Sequence, residues 1–71
     1  MEVEIYIHLL DESASRPTQA IVLGNNVYKV LPTSNYNSAD EDWEFIPGSL
    51  VRCEEREYNG RKYLQAIEVV N

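Results

Sequence analysis

The sequence predicts an all-β domain: a small antiparallel barrel of five or six strands, SH3-like, with an OB-like barrel as the alternative. Three observations carry this. Apolar and polar residues alternate with period 2 in short runs, and no window holds a 3.6-residue period. Turn-forming residues separate those runs at regular intervals. A chain of 71 residues also buries only about 60% of the surface its unfolded form exposes. So small a core cannot leave a sheet face bare, and the sheet is expected to curl on itself.

The elements follow in order. In residues 2–10, Val3, Ile5, Ile7 and Leu9 point one way, while Glu2, Glu4, Tyr6 and His8 point the other. Asp11 to Ser15 is polar and reads as a loop. Residues 16–23 form a second strand, with Pro17 at its start or on an edge because proline donates no ladder hydrogen bond. Gly24-Asn25-Asn26 is a turn of residues that tolerate positive φ. Residues 27–31 return as a third strand, ended by Pro32. Residues 33–42 read as a long exposed loop, with a helical turn starting near Ser38.

Residues 43–46, Trp-Glu-Phe-Ile, resume an apolar strand. Pro47 and Gly48 fit the central positions of a type II turn. Residues 50–57 form a fifth strand, with Val51 and Cys53 on one face and Arg52, Glu54 and Arg56 on the other. Asn59-Gly60 is the strongest hairpin signal in the chain, and residues 63–70 are the returning strand. One domain over residues 1–71 accounts for everything; a dinucleotide fold or a large enclosed active site does not fit this length.

Charge narrows the partners. Twelve acids against six bases give a net charge of −6. Nucleic-acid affinity comes mostly from Lys and Arg on phosphates, so nucleic acid is disfavoured, and anionic membrane surfaces with it. A protein partner, a basic one in particular, remains open. Eight of the twelve acids lie beyond residue 35, concentrated around Trp43 and in Glu54 to Glu57. A lone cysteine, an acidic N-terminus and no long apolar run point to the cytoplasm.

One pattern resembles a family. Arg16-Pro17, Leu23-Gly24 and Trp43-Glu44-Phe45-x-Pro47-Gly48-x-x-Val51-Arg52-Cys53-Glu54 are similar to the pattern of a family of small uncharacterised bacterial proteins. Leu9-Leu10-Asp11-Glu12 and Leu64-x-Ala66-x-Glu68 extend the likeness along most of the chain. Ser15 departs from it, where the family often has Trp. The resemblance implies kinship and no activity.

No nucleophile elbow, phosphate loop or zinc spacing occurs, so the expectation is a non-enzyme with no cofactor. His8 and Cys53 are single residues of their kind and make no metal-ligand cluster; His8 reads as an exposed strand residue and Cys53 as a small buried hydrophobe. Asp40-Glu41-Asp42-Trp43-Glu44 admits three readings: a calcium loop, an acidic face with a Trp anchor, or a solvated loop leading into a core Trp. The last is favoured, since the spacing lacks the features of a calcium loop. Arg16 either pairs with Asp42 or Glu44 beside the indole or reaches a ligand. The candidate binding residues are therefore Arg16, Asp42, Trp43, Glu44 and Arg52. Tyr6, Tyr28, Tyr58 and Tyr63 are placed on polar faces, where aromatics can stack bases or grip proline-rich peptides; the net charge disfavours bases, and core and rim packing of a small barrel is the favoured reading.

The expected function is a protein- or peptide-binding module. The alternatives are an acidic inhibitor or immunity-type protein that blocks a basic enzyme, and a small structural subunit of a larger assembly. A homodimer through the apolar edge of the last strand is a further expectation.

Overall fold

The alternating runs become five strands that close on themselves. A computed structural model describes residues 1–10, 13–32 and 42–70. The strands are β1 (Glu2–His8), β2 (Ser15–Gly24), β3 (Val27–Val30), β4 (Leu50–Tyr58) and β5 (Arg61–Val69). Their order round the barrel is the order of the chain. The expected helical turn near Ser38 lies outside the described residues, as do Asp40 and Glu41.

Four strand pairs are antiparallel, but β1 and β5 close the barrel in parallel. The expectation of a wholly antiparallel barrel is corrected here. The cause is parity: four successive reversals leave β5 running the same way as β1, so an odd-stranded meander cannot close otherwise. The parallel contact is brief, with one registered pair, Tyr6 and Gln65.

Local backbone chemistry sets the turns. Asn25 and Asn26 both have positive φ (54° and 64°), as do Asn59 and Gly60 (51° and 79°). Both-positive central residues make type I′ turns, whose twist matches that of the flanking strands. Pro47 and Gly48 sit in the expected turn, with φ 95° at Gly48 and Ser49 N donating to Ile46 O at 3.1 Å.

The fourth predicted strand, residues 43–46, is not a strand. One bridge joins Trp43 to Leu9, flanked by Leu10 N donating to Asp42 O and Glu44 N donating to His8 O. The alternation itself is real: Trp43 and Phe45 are buried, while Asp42, Glu44 and Ile46 are exposed. Alternation reports which side chains are covered, not whether a backbone ladder runs alongside. This segment plugs the barrel beside the end of β1.

The core is Ile5, Ile7, Leu9, Ala20, Tyr28, Val30, Trp43, Phe45, Val51, Cys53 and Ala66. Tyr28, expected on a polar face, belongs to it. It lies opposite Val51 and Val22 in the ladders and is 9% exposed. Ile67 is a bulge residue. The turn-set register holds to the pair Cys53 and Ala66, then resumes one step on at Arg52 and Glu68. The extra residue lets one hairpin satisfy both the tight turn and the inward face of the barrel.

Candidate functional site

The β4–β5 hairpin is longer than the barrel it belongs to. β3 pairs with β4 only over Leu50, Val51 and Arg52, with Asn26 O accepting from Cys53 N just beyond. The remainder of β4 has β5 on one side only among the described residues. The hairpin therefore overhangs β1 and walls a groove of about 790 Å³.

Cross-strand register sets the two faces of the hairpin, and the groove draws on both: Tyr58, Arg61, Tyr63 and Gln65 from one, Glu55, Lys62 and Leu64 from the other. Tyr58 lies opposite Arg61, Arg56 opposite Tyr63 and Glu54 opposite Gln65, so these six share one hairpin face. Glu55 and Leu64 lie on the other. The β1 wall contributes Glu4 and Tyr6, both from the outward set of its alternation. Tyr6 and Tyr63 meet edge to face, centroids 5.4 Å apart and planes at 75°. Such pairs add of order 1 kcal/mol beyond their area burial. Tyr58 is 70% exposed and offers a free ring at the groove's far end.

Gln65 is the floor of this site. It is only 8% exposed, although its strand neighbours across β4 are solvated glutamates. Its Nε2 donates to Tyr6 O at 3.1 Å and to Ala66 O at 3.4 Å, and Ser15 Oγ donates to its Oε1 at 3.5 Å. One amide thus ties β5 to β1 and to the start of β2, where the parallel ladder is too short to do so. A buried amide left unpaired would be costly, and this one is satisfied at both ends.

Three hairpin cations are engaged. Arg52 pairs with Glu68 at 3.0 Å, Arg56 with Glu54 at 3.3 Å and Lys62 with Glu55 at 3.9 Å. All are half-exposed or more, so they orient side chains more than they stabilise the fold. Arg61 and Glu4 line opposite walls of the groove, and neither has an ion-pair partner among the described residues.

No protein-family model, curated protein or solved structure matches this chain. The site is therefore read from its own geometry.

The residues singled out in the sequence fall in two places. Arg16, Asp42, Trp43 and Glu44 gather near the end of β1: Arg16 lies opposite Ile7, Trp43 opposite Leu9, and the backbones of Asp42 and Glu44 bond to Leu10 and His8. Trp43 is 3% exposed, so its indole packs in the core. Arg52 sits apart, on β4, held to Glu68. Neither set lines the groove. Sequence reasoning marked the tyrosines but missed Glu4, Arg61 and Gln65. The available signal was the Asn-Gly turn, which fixes Tyr58, Arg61 and Tyr63 on one face of the hairpin.

Burial pushes the Cys53 thiol up to about 11. Desolvation disfavours the thiolate, the nucleophilic form, so Cys53 behaves as core. Among the described residues no group of three His, Cys, Asp or Glu side chains could hold a metal ion.

Proposed function

We propose that this protein is a non-enzymatic binding module of the SH3-like barrel type, taking a peptide segment of a protein partner in the tyrosine-lined groove. The observation that carries the reading is the groove itself: Tyr6, Tyr58 and Tyr63 on two walls, with polar and charged groups at its rim. Aromatic-lined grooves on small barrels suit extended peptides, because flat rings give large contact area at little entropic cost. The sequential strand order supports an SH3-like over an OB-like assignment, since OB barrels wind as Greek keys. The ion pairs at Glu54, Glu55 and Glu68 favour a binding module over an acidic inhibitor, for they offset the charge an inhibitor would use. Kinship with small bacterial proteins sharing the Trp-Glu-Phe-x-Pro-Gly pattern remains part of this proposal.

The test is selection of peptides from a displayed random library, followed by affinity measurement on the Tyr58→Ala/Tyr63→Ala double variant. Loss of two aromatic anchors should weaken binding at least about tenfold each, the scale of a hot-spot side chain. Unchanged affinity in a folded double variant refutes the groove, and a library without binders refutes the function.

A further inference from the structure

We infer that the groove receives its occupant as an added β-strand, an extended peptide bearing a lysine or arginine that lies between β1 and β5. This deepens the reading above and rests on it. The argument begins at the seam. β1 pairs with β2 from Glu2 to His8, but with β5 only at Tyr6. Before Tyr6, the second flank of β1 therefore carries no strand among the described residues. Residues 61–64 of β5 have β4 on one flank and, among the described residues, none on the other. Groove residues come from both of these segments, Glu4 from β1 and residues 61–64 from β5, and from the bridged pair Tyr6 and Gln65 where the two strands meet.

Open strand edges present rows of unpaired N–H and C=O groups, which template another strand. Parity favours the same outcome. A sixth strand that ran antiparallel to both β1 and β5 beside residues 2–5 and 61–64 would give each open flank the antiparallel partner that the single parallel bridge at Tyr6 and Gln65 does not extend to them. Gln65 already shows the chemistry at one point, its side-chain amide donating to the main-chain carbonyl of Tyr6 at the seam. An added backbone would repeat that bond along the edge.

Charge selects the occupant. Glu4 has no ion-pair partner among the described residues and shares the groove with the rings of Tyr6 and Tyr63. A cationic side chain there meets a carboxylate and aromatic faces together. The net charge of −6 steers such a peptide in. Arg61 on the other wall makes an acidic peptide the sharpest control.

The experiment titrates three synthetic peptides of about eight residues into the isotope-labelled full chain, followed by amide NMR and hydrogen exchange. Each alternates threonine and valine. The first has one central lysine, the second one central glutamate, and the third is the lysine peptide N-methylated at alternate residues. The lysine peptide should shift and protect amides in residues 2–4 and 61–64. The glutamate peptide should bind at least fivefold more weakly, and Glu4→Gln should remove that preference. N-methylation, which deletes backbone donors and spares side chains, should weaken binding at least tenfold. No binding of the lysine peptide at millimolar concentration overturns the proposal, as does equal affinity of the N-methylated form. Library peptides that need Tyr58 and Tyr63 but tolerate N-methylation overturn strand addition while leaving the aromatic groove standing.

Discussion

Thr18→Val should make this protein more stable. Thr18 is 3% exposed, lies opposite Ile5 in the β1–β2 ladder, and its hydroxyl has no hydrogen-bond partner among the described residues. Burying an unpaired hydroxyl costs about 1–3 kcal/mol. Valine keeps the β-branched shape and the strand preference, removes the orphan, and adds a buried methyl worth up to about 0.8 kcal/mol. Discounting for incomplete relaxation, the gain is about 1–2 kcal/mol. In a domain of 60–100 residues that raises Tm by about 4–8 °C per kcal/mol. Urea unfolding with paired calorimetry reads it: the midpoint should rise while the slope stays constant. Thr18→Ser keeps the hydroxyl and loses the methyl, so it should fall below wild type by about 1 kcal/mol. If Thr18→Val is less stable than wild type, the hydroxyl is bonded after all and the reasoning fails.

Three further outcomes follow from the core and the turns. Trp43→Ala should cost about 3–5 kcal/mol, a large share of the roughly 4–11 kcal/mol expected for 71 residues, and circular dichroism should show a lowered or lost transition. Gly60→Ala should cost about 1–2 kcal/mol from backbone strain alone, because φ is 79° and a Cβ there meets no atom within 4 Å; Gly60→Asn should recover most of it in thermal melts. Cys53 should react slowly with a disulfide reagent at pH 8 in the native state and quickly in guanidinium. Its pKa is raised in the folded state, from an ordinary value of 9.0 to about 11. The folded protein therefore holds the proton longer: the contribution is intact below pH 9 and falls as pH rises through about 11, by about 2–3 kcal/mol in all. Cys53→Val should lack that decline.

The features legible in the sequence were those that local chemistry decides. Asn25-Asn26, Pro47-Gly48 and Asn59-Gly60 name their turns, because few residues tolerate the φ values those turns require. Val3, Ile5, Ile7 and Leu9 name the inward face of β1, because a one-residue slip would expose all four. Trp43 and Phe45 were equally legible as buried side chains. The error there was to supply a ladder, which depends on where the end of β1 lies and not on anything within residues 43–46.

The groove was less legible, since its walls meet only through the closure. Gln65 contacts Tyr6 across a separation of 59 residues, and no local pattern announces that. The sequence features that stand out are instead Arg16, one of two basic residues in the first half of the chain, and Trp43, its single Trp. Scarcity is a weak guide in a chain this small: its one Trp packs in the core.

The seam joins these observations. An odd number of strands forces a parallel closure, and a parallel pair of one register position contributes little ladder. The structure answers with a side chain, Gln65, bonded to β1 and to Ser15. That substitution holds the barrel shut at one point and leaves the strand edges beyond it unspent. The least stable join in a sheet is where opening begins, and here it lies beside the paired rings of Tyr6 and Tyr63. Closing the sheet in parallel and leaving an open strand edge are then consequences of the same count of strands. Gln65→Leu separates them: it removes the tie without touching either groove wall's rings, so it should loosen amide protection in residues 2–8 first and leave the Asn59-Gly60 turn unchanged.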